Sequence, residues 1–166
     1  YGGFWLHKLY PEEISESVWK KVPNSTLYQL NEAYLNYAEA LNEYNEGPTQ
    51  EAYDAINTIR KRSGQPDLPT GLGHLEFRTK VRNERAIELA FDGHRFYDIR
   101  RWMIADQDGE GRQFGYVHGM NMNAAEDKFY EEVEASPIVF RRKMYLYPIP
   151  DDEMKKTELL VQNPGW

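Results

Sequence analysis

The 166 residues carry 27 Asp and Glu against 20 Lys and Arg, a formal charge of −7, with 40% hydrophobic and 28% charged residues. That is the mix of one ordinary folded domain, or of a piece of a larger one, and not of a disordered tail. It excludes a bilayer-spanning helix, since no uninterrupted apolar run exceeds four residues against the ~20 required. An acidic pI of about 5.2 speaks against nucleic acid as the main partner, because phosphate neutralisation needs a basic face. The absence of cysteine removes disulfides, thiolate metal sites and cysteine nucleophiles. The chain opens at Tyr1 without a basic stretch and apolar run of the secretory type. Two expectations stay open: a trimmed cytoplasmic protein, or a segment of a longer, processed chain.

In chain order, residues 1–24 are aromatic and irregular, with Tyr1, Phe4, Trp5, Tyr10 and Trp19 among Pro11 and Pro23; Phe4 to Leu9 suits a short strand. From Asn24 or Ser25 as N-cap, Leu27, Leu30, Tyr34, Tyr37/Ala38 and Leu41 recur at steps of three and four, predicting a helix. Gly47-Pro48 stops it. Ala52, Ala55/Ile56 and Ile59 stripe a second helix, whose last turn holds Arg60, Lys61 and Arg62 at the negative end of the dipole before Gly64. Two helices joined by so short a turn lie antiparallel. Residues 24–64 thus have the size of one tetratricopeptide unit, and further copies, which such a unit needs to bury its faces, are expected upstream. A second helix pair is expected over residues 75–105, one helix from about Leu75 to Phe91 and another from about His94 to Ile104, with Gly93 between them. Residues 106–166 read as a glycine-punctuated loop (Gly109 to Gly119) and two strands, Phe129 to Val133 and Ile138 to Tyr147. A helical turn at Asp151-Asp152-Glu153 and a turn-like tail ending Gln162-Asn163-Pro164-Gly165-Trp166 complete the chain.

The third helix carries the main chemical oddity. Helical steps from Phe77 pass through Val81, Glu84, Glu88 and Phe91, so two carboxylates lie on the apolar stripe. A carboxylate on a packed face is costly unless paired, and Arg85, Arg95, Arg100 and Arg101 are near in sequence. The structural reading is an ion network of Glu84, Arg85, Glu88, Arg95, Asp98 and Arg100 locking two helices across Gly93. The catalytic reading is a Glu84/Glu88 acid–base pair of a glycoside hydrolase, with Cβ atoms about 5–6 Å apart. Guanidiniums favour the ionised carboxylate, whereas a general acid must keep its proton, so the network is preferred. His7, His74, His94 and His118 do not stand at ligand spacing, and neither metal nor cofactor is expected. Nucleophile-elbow, phosphate-loop and dinucleotide motifs are absent. Tyr34, Tyr37, Phe91, Phe96 and Trp102 sit on helical stripes and are expected in the core. Trp5, Tyr10 and Trp19, in irregular chain, are the candidate ligand contacts, because flat aromatic faces pack on the apolar faces of sugar rings.

With those residues in view, the chain resembles the C-terminal part of the SusD/RagB family of surface glycan-binding lipoproteins. The resemblance rests on LNEAYLNYAEA (Leu30 to Ala40), AINTIRKRSG (Ala55 to Gly64), NERAIELAFDGHRFYDIRRW (Asn83 to Trp102), and Tyr147-Pro148-Ile149-Pro150 with the QNPGW ending. Asp92 stands where the family usually has Glu, and Asn31 where it often has Arg. The resemblance implies a mainly α fold, a tetratricopeptide-like α-α superhelix with a small β-hairpin and loop subdomain at its C-terminal end. It implies a non-catalytic binder of oligosaccharide or polysaccharide, partnered with a SusC-like TonB-dependent transporter. It also implies exposure at the outer membrane through an N-terminal lipid anchor that is not among these residues. A protein-interaction scaffold is the alternative that the helix pair suggests without any family.

Overall fold

The computed structural model describes residues 26–121, 128 and 131–166. The chain divides into two compact units, one ending at Arg95 and the other running from Phe96 to Trp166. The architecture is mainly helical with a small two-stranded antiparallel sheet, the class expected from the sequence.

In the first unit, α1 spans Leu30–Tyr44, α2 Gln50–Arg62 and α3 His74–Glu88. Helix α1 has Gln29 in the N-cap position; the expected caps Asn24 and Ser25 lie outside the described residues. Asn45 closes α1 by donating its side-chain amide to the Leu41 carbonyl at 2.8 Å. Thr49 Oγ1 caps α2 by accepting from the Ala52 amide at 3.2 Å. Glu76 reaches back to accept the Gly73 amide at the start of α3. The link between α2 and α3 is held by side chains from α2. Asn57 Oδ1 accepts the Leu68 amide at 2.9 Å and the Tyr53 hydroxyl accepts the Leu72 amide at 3.0 Å.

Helix α1 packs on both α2 and α3. Small Ala38, Ala52 and Ala55 let the backbones approach, and Ile56, Phe77, Val81 and Leu68 fill the space between them. Tyr53 meets Phe77 edge to face, with centroids 4.9 Å apart. A second cluster joins Leu35, Ile59 and Leu89.

The third helix stops at Glu88, short of Phe91, because Phe91 takes φ 66° and Gly93 φ 82°. Phe91, placed in the core by its helical spacing, is therefore 61% exposed. Helix α4 spans His94–Arg101 and also ends early, where Met103 turns to φ 56°. Tyr37 and Phe96 depart from the expected core as well. Tyr37 points out from α1, and Phe96 carries the Arg100 guanidinium on its face at 3.4 Å.

In the second unit, Ile99, Ala105 and Phe140 form the core, with Ile104, Met144 and Tyr145 against them. Gly111 is required there: its φ is 94°, and a Cβ would fall 2.6 Å from Ile104 Cδ1. The strands differ from expectation. The strand β1 covers Gly115–Met120, in the stretch read as loop, and pairs with β2, Glu132–Ile138. Gly119 pairs with Val133 inside this ladder, so the glycine here lies in a strand and not in a loop. The ladder is irregular between Val117 and His118, a bulge-like shift. The segment after Ile138 is not a strand: Arg142–Tyr145 form a 3₁₀ turn, and the short helix α5 covers Asp151–Met154.

Candidate functional site

Helix α3 presents Glu84, Arg85 and Glu88 inward. Glu84 is 7% exposed and its Oε2 accepts from Arg60 Nη1 at 2.7 Å. Arg60 is itself fixed, donating Nε to the Pro66 carbonyl at 2.8 Å. Glu88 Oε1 accepts from Arg62 Nη2 at 2.6 Å and from Asn31 Nδ2 at 2.5 Å. Arg85, 4% exposed, donates Nη1 to Asn36 Oδ1 at 2.6 Å. The two carboxylates thus tie α3 to the last turn of α2, and Arg85 and Glu88 tie it to α1. The Arg60–Glu84 bond is charge-assisted in a largely desolvated position, where removing one partner costs much more than a surface pair is worth, whereas the Arg62 side chain of the Glu88 pair is more than half exposed.

Glu84 and Glu88 accept from arginines that stand 24 and 26 residues upstream. Arg60 and Arg62 were legible only as cations completing a helix dipole. In the second unit, buried Asp98 accepts from Arg101 Nε at 2.8 Å. Arg100 donates to the Phe96 carbonyl at 2.8 Å and lies between the Phe96 and Phe140 rings. Arg95 is half-buried and engaged. Chemically, α3 offers acids whose oxygens already accept from guanidinium or amide groups, which makes them struts.

A second polar cluster lies at the other end of α1. Arg78 grips Glu43, and His74 Nε2 stands 3.3 Å from the same carboxylate. The hydrogen bonds from Arg78 hold Glu43 down at about 2.

The tail motif of the second unit is an amide clamp. Gln162 accepts the Ile149 amide at 2.8 Å and donates to the Ile149 carbonyl at 2.9 Å. Asn163 donates to the Tyr147 carbonyl at 2.6 Å, and the Trp166 indole N–H reaches the Lys143 and Leu146 carbonyls at 3.1 Å each. Lys143 in turn places its ammonium 4.0 Å from the Trp166 ring centroid. Beside this clamp, Met103, Arg142, Lys143, Leu146, Pro164 and Gly165 line an open, mostly apolar groove of about 590 Å³. The Tyr145 hydroxyl donates to Asp106 at 2.5 Å and, with Arg142, holds that carboxyl below the usual range. Burial and the Asp106 charge push the Tyr145 phenol up. The groove escaped sequence reading because it needs Met103 and Gly165 brought together by the fold; the aromatic ending was its only local signal.

Trp5, Tyr10 and Trp19 lie outside the described residues. Among the described residues, no group of three or more His, Asp or Glu is placed to hold a metal, and no helix is long and apolar enough to cross a membrane.

A helical-repeat layer braced by buried arginine–carboxylate pairs, followed by a small hairpin and a clamped tail, is the architecture of a known class. The model of the SusD family matches residues 1–166, and the chain belongs to that family. It is 32% identical over 143 residues to SusD-like protein P2 of Formosa agariphila, covering 81% of this chain and 24% of that protein. It is 38% identical over 84 residues to SusD-like protein P25 of the same organism, 49% of this chain and 16% of the relative. A SusD-like protein from Bacteroides fragilis matches with TM-score 0.71 at 33% identity, over 84% of this chain and 25% of its own. A SusD homolog from Bacteroides thetaiotaomicron matches with TM-score 0.60 at 36% identity, over 82% and 26%. The chain spans about a quarter or less of the length of these relatives.

Proposed function

We propose that this chain is the C-terminal part of a non-catalytic glycan-binding protein of the outer-membrane surface. The whole protein captures oligosaccharide or polysaccharide and passes it to a SusC-like TonB-dependent transporter, and a lipid anchor upstream of these residues tethers it. The observation that carries the reading is family membership over the full 166 residues. The non-catalytic part is supported by α3: Glu84 is buried and bound by Arg60, and Glu88 is bound by Arg62 and Asn31, so neither is poised to protonate a glycosidic oxygen. Trp5, Tyr10 and Trp19 are the ligand contacts we propose within this chain, on the stacking chemistry of indole and phenol rings.

Native-gel affinity electrophoresis of the full-length protein against a panel of soluble polysaccharides tests this, with Trp5→Ala and Trp19→Ala variants alongside. Retardation by one glycan class without release of reducing ends is the expected result, reduced in at least one Trp variant. Failure of every glycan to retard the protein would overturn the substrate class, and retardation unchanged in both variants would move the site elsewhere.

A further inference from the structure

The groove beside the tail clamp has a charge at odds with the rest of the chain. Its apolar walls come from Met103, Leu146 and Pro164. The stretches that supply them, residues 99–105, 135–150 and 159–166, carry five cations and no acid, in a chain of formal charge −7. Asp106, the next acid in sequence, is already held by Tyr145 and Arg142.

Lys143 is built into this wall. Gly165 takes φ 87°, and a Cβ there would stand 3.1 Å from the Lys143 Cβ, so the glycine lets the tail lie against the lysine stem. The Lys143 ammonium rests 4.0 Å from the Trp166 ring centroid. Among the described residues, neither Lys143 nor the exposed Arg141 has a carboxylate within salt-bridge reach. A ring face orients a cation without cancelling its charge. A lysine held in this way loses less freedom on meeting an anion than a mobile surface lysine does.

These two features select the ligand. The apolar walls match the C–H face of a sugar ring, and the ammonium matches an anionic group at the ring's edge. The volume of about 590 Å³ lies in the ~300–1,000 Å³ range of small-ligand sites, and the open side admits one stretch of a longer chain. A neutral sugar would leave the Lys143 charge unanswered. A carboxylate bonded directly to the ring keeps its charge at the margin of the packed face, whereas a sulfate ester carries it out beyond a bridging oxygen.

We propose that this groove is a subsite for uronate units of an acidic oligosaccharide, packed on Met103, Leu146 and Pro164 with the carboxylate on Lys143. The proposal rests on the glycan-binding reading above and narrows its substrate class.

Calorimetric titration of the full-length protein tests it. The probes are oligogalacturonate, oligomannuronate and oligoguluronate, each beside its carboxyl-reduced neutral counterpart, with dextran and dextran sulfate as further arms. At least one uronate series should bind about tenfold or more tighter than its reduced form, and the binding should weaken as salt is raised. Lys143→Met keeps the apolar stem and removes the charge, and should cost about tenfold of that affinity, whereas Lys143→Arg should preserve most of it. If Lys143→Met loosens the tail, Leu146→Glu still decides. The Leu146 side chain makes no clamp hydrogen bond and the residue is 54% exposed, so a carboxylate placed there should remove the preference for uronate at an unchanged melting temperature. Equal binding of uronate and reduced chains, uronate affinity unchanged in Leu146→Glu, or binding confined to neutral or sulfated glycans would each overturn the proposal and leave glycan capture standing. Absence of binding to any glycan would overturn that reading and this proposal with it.

Discussion

Up to Arg95 the chain is organised by long-range contacts: Phe77, Ile56 and Leu35 are fully buried, and Arg60 and Arg62 reach carboxylates on α3. From Phe96 onward the buried core is smaller, and cation–ring and amide contacts join it. Phe96, Phe140 and Trp166 are covered by Arg100 or Lys143, the tail is held by the Gln162 and Asn163 amides, and β1 and β2 form a two-stranded sheet with mostly exposed residues. A packed helical layer resists local opening, whereas a lone hairpin is marginal. The contrast assigns rigidity to the helical unit and adaptability to the second, where the open groove lies.

The largest effect expected is from Phe77→Ala, which empties the centre of the helical core and should cost about 3–5 kcal/mol in a urea melt of the full-length protein. A loss under about 1 kcal/mol would mean that this core is not what holds the unit. Glu84→Gln comes next, because it leaves the Arg60 guanidinium half-satisfied in a desolvated position. A loss of about 3 kcal/mol is expected, with the melt as readout. Gln162→Ala removes both bonds to the Ile149 peptide and should cost about 1–2 kcal/mol. Its effect should appear as faster amide exchange near Ile149 with no change at α2; exchange that also rises in α2 would break the contrast between the units.

The smallest effect concerns Glu43. Arg78 lowers it from 4.5 to about 2, so its contribution is fully present above pH 4.5 and fades as pH falls toward 2. Because the Glu43 side chain is 39% exposed, that contribution is under about 1 kcal/mol. Glu43→Gln should therefore be slightly less stable at pH 7, and the gap should close by about pH 2. A gap that widens on acidification would reverse the sign of the argument.

The helix pair and its antiparallel packing were legible because period-3.6 stripes and the Gly47-Pro48 stop are local signals. Helix ends were less so: Phe91 and Met103 adopt positive φ, a choice that tertiary packing makes and a side chain's type does not announce. Gly115 and Gly119 masked β1, since glycine usually marks a turn, whereas here Gly115 opens the strand at φ 86° and Gly119 pairs with Val133 inside it. The inward carboxylates of α3 were visible as polar residues on an apolar stripe. Their pairing with Arg60 and Arg62 was not, because a contact across 24 and 26 residues is a property of the fold.

The most direct test of a structural, non-catalytic role for α3 pairs the full-length protein with its Glu84→Gln variant on the polysaccharide that retards it. Both would be assayed for thermal stability and, over many hours, for new reducing ends. A lowered melting temperature for Glu84→Gln, glycan binding by both below that temperature, and no reducing ends from either is the predicted result. Reducing ends from the wild type that vanish in Glu84→Gln at unchanged stability would contradict it and make Glu84 a catalytic acid.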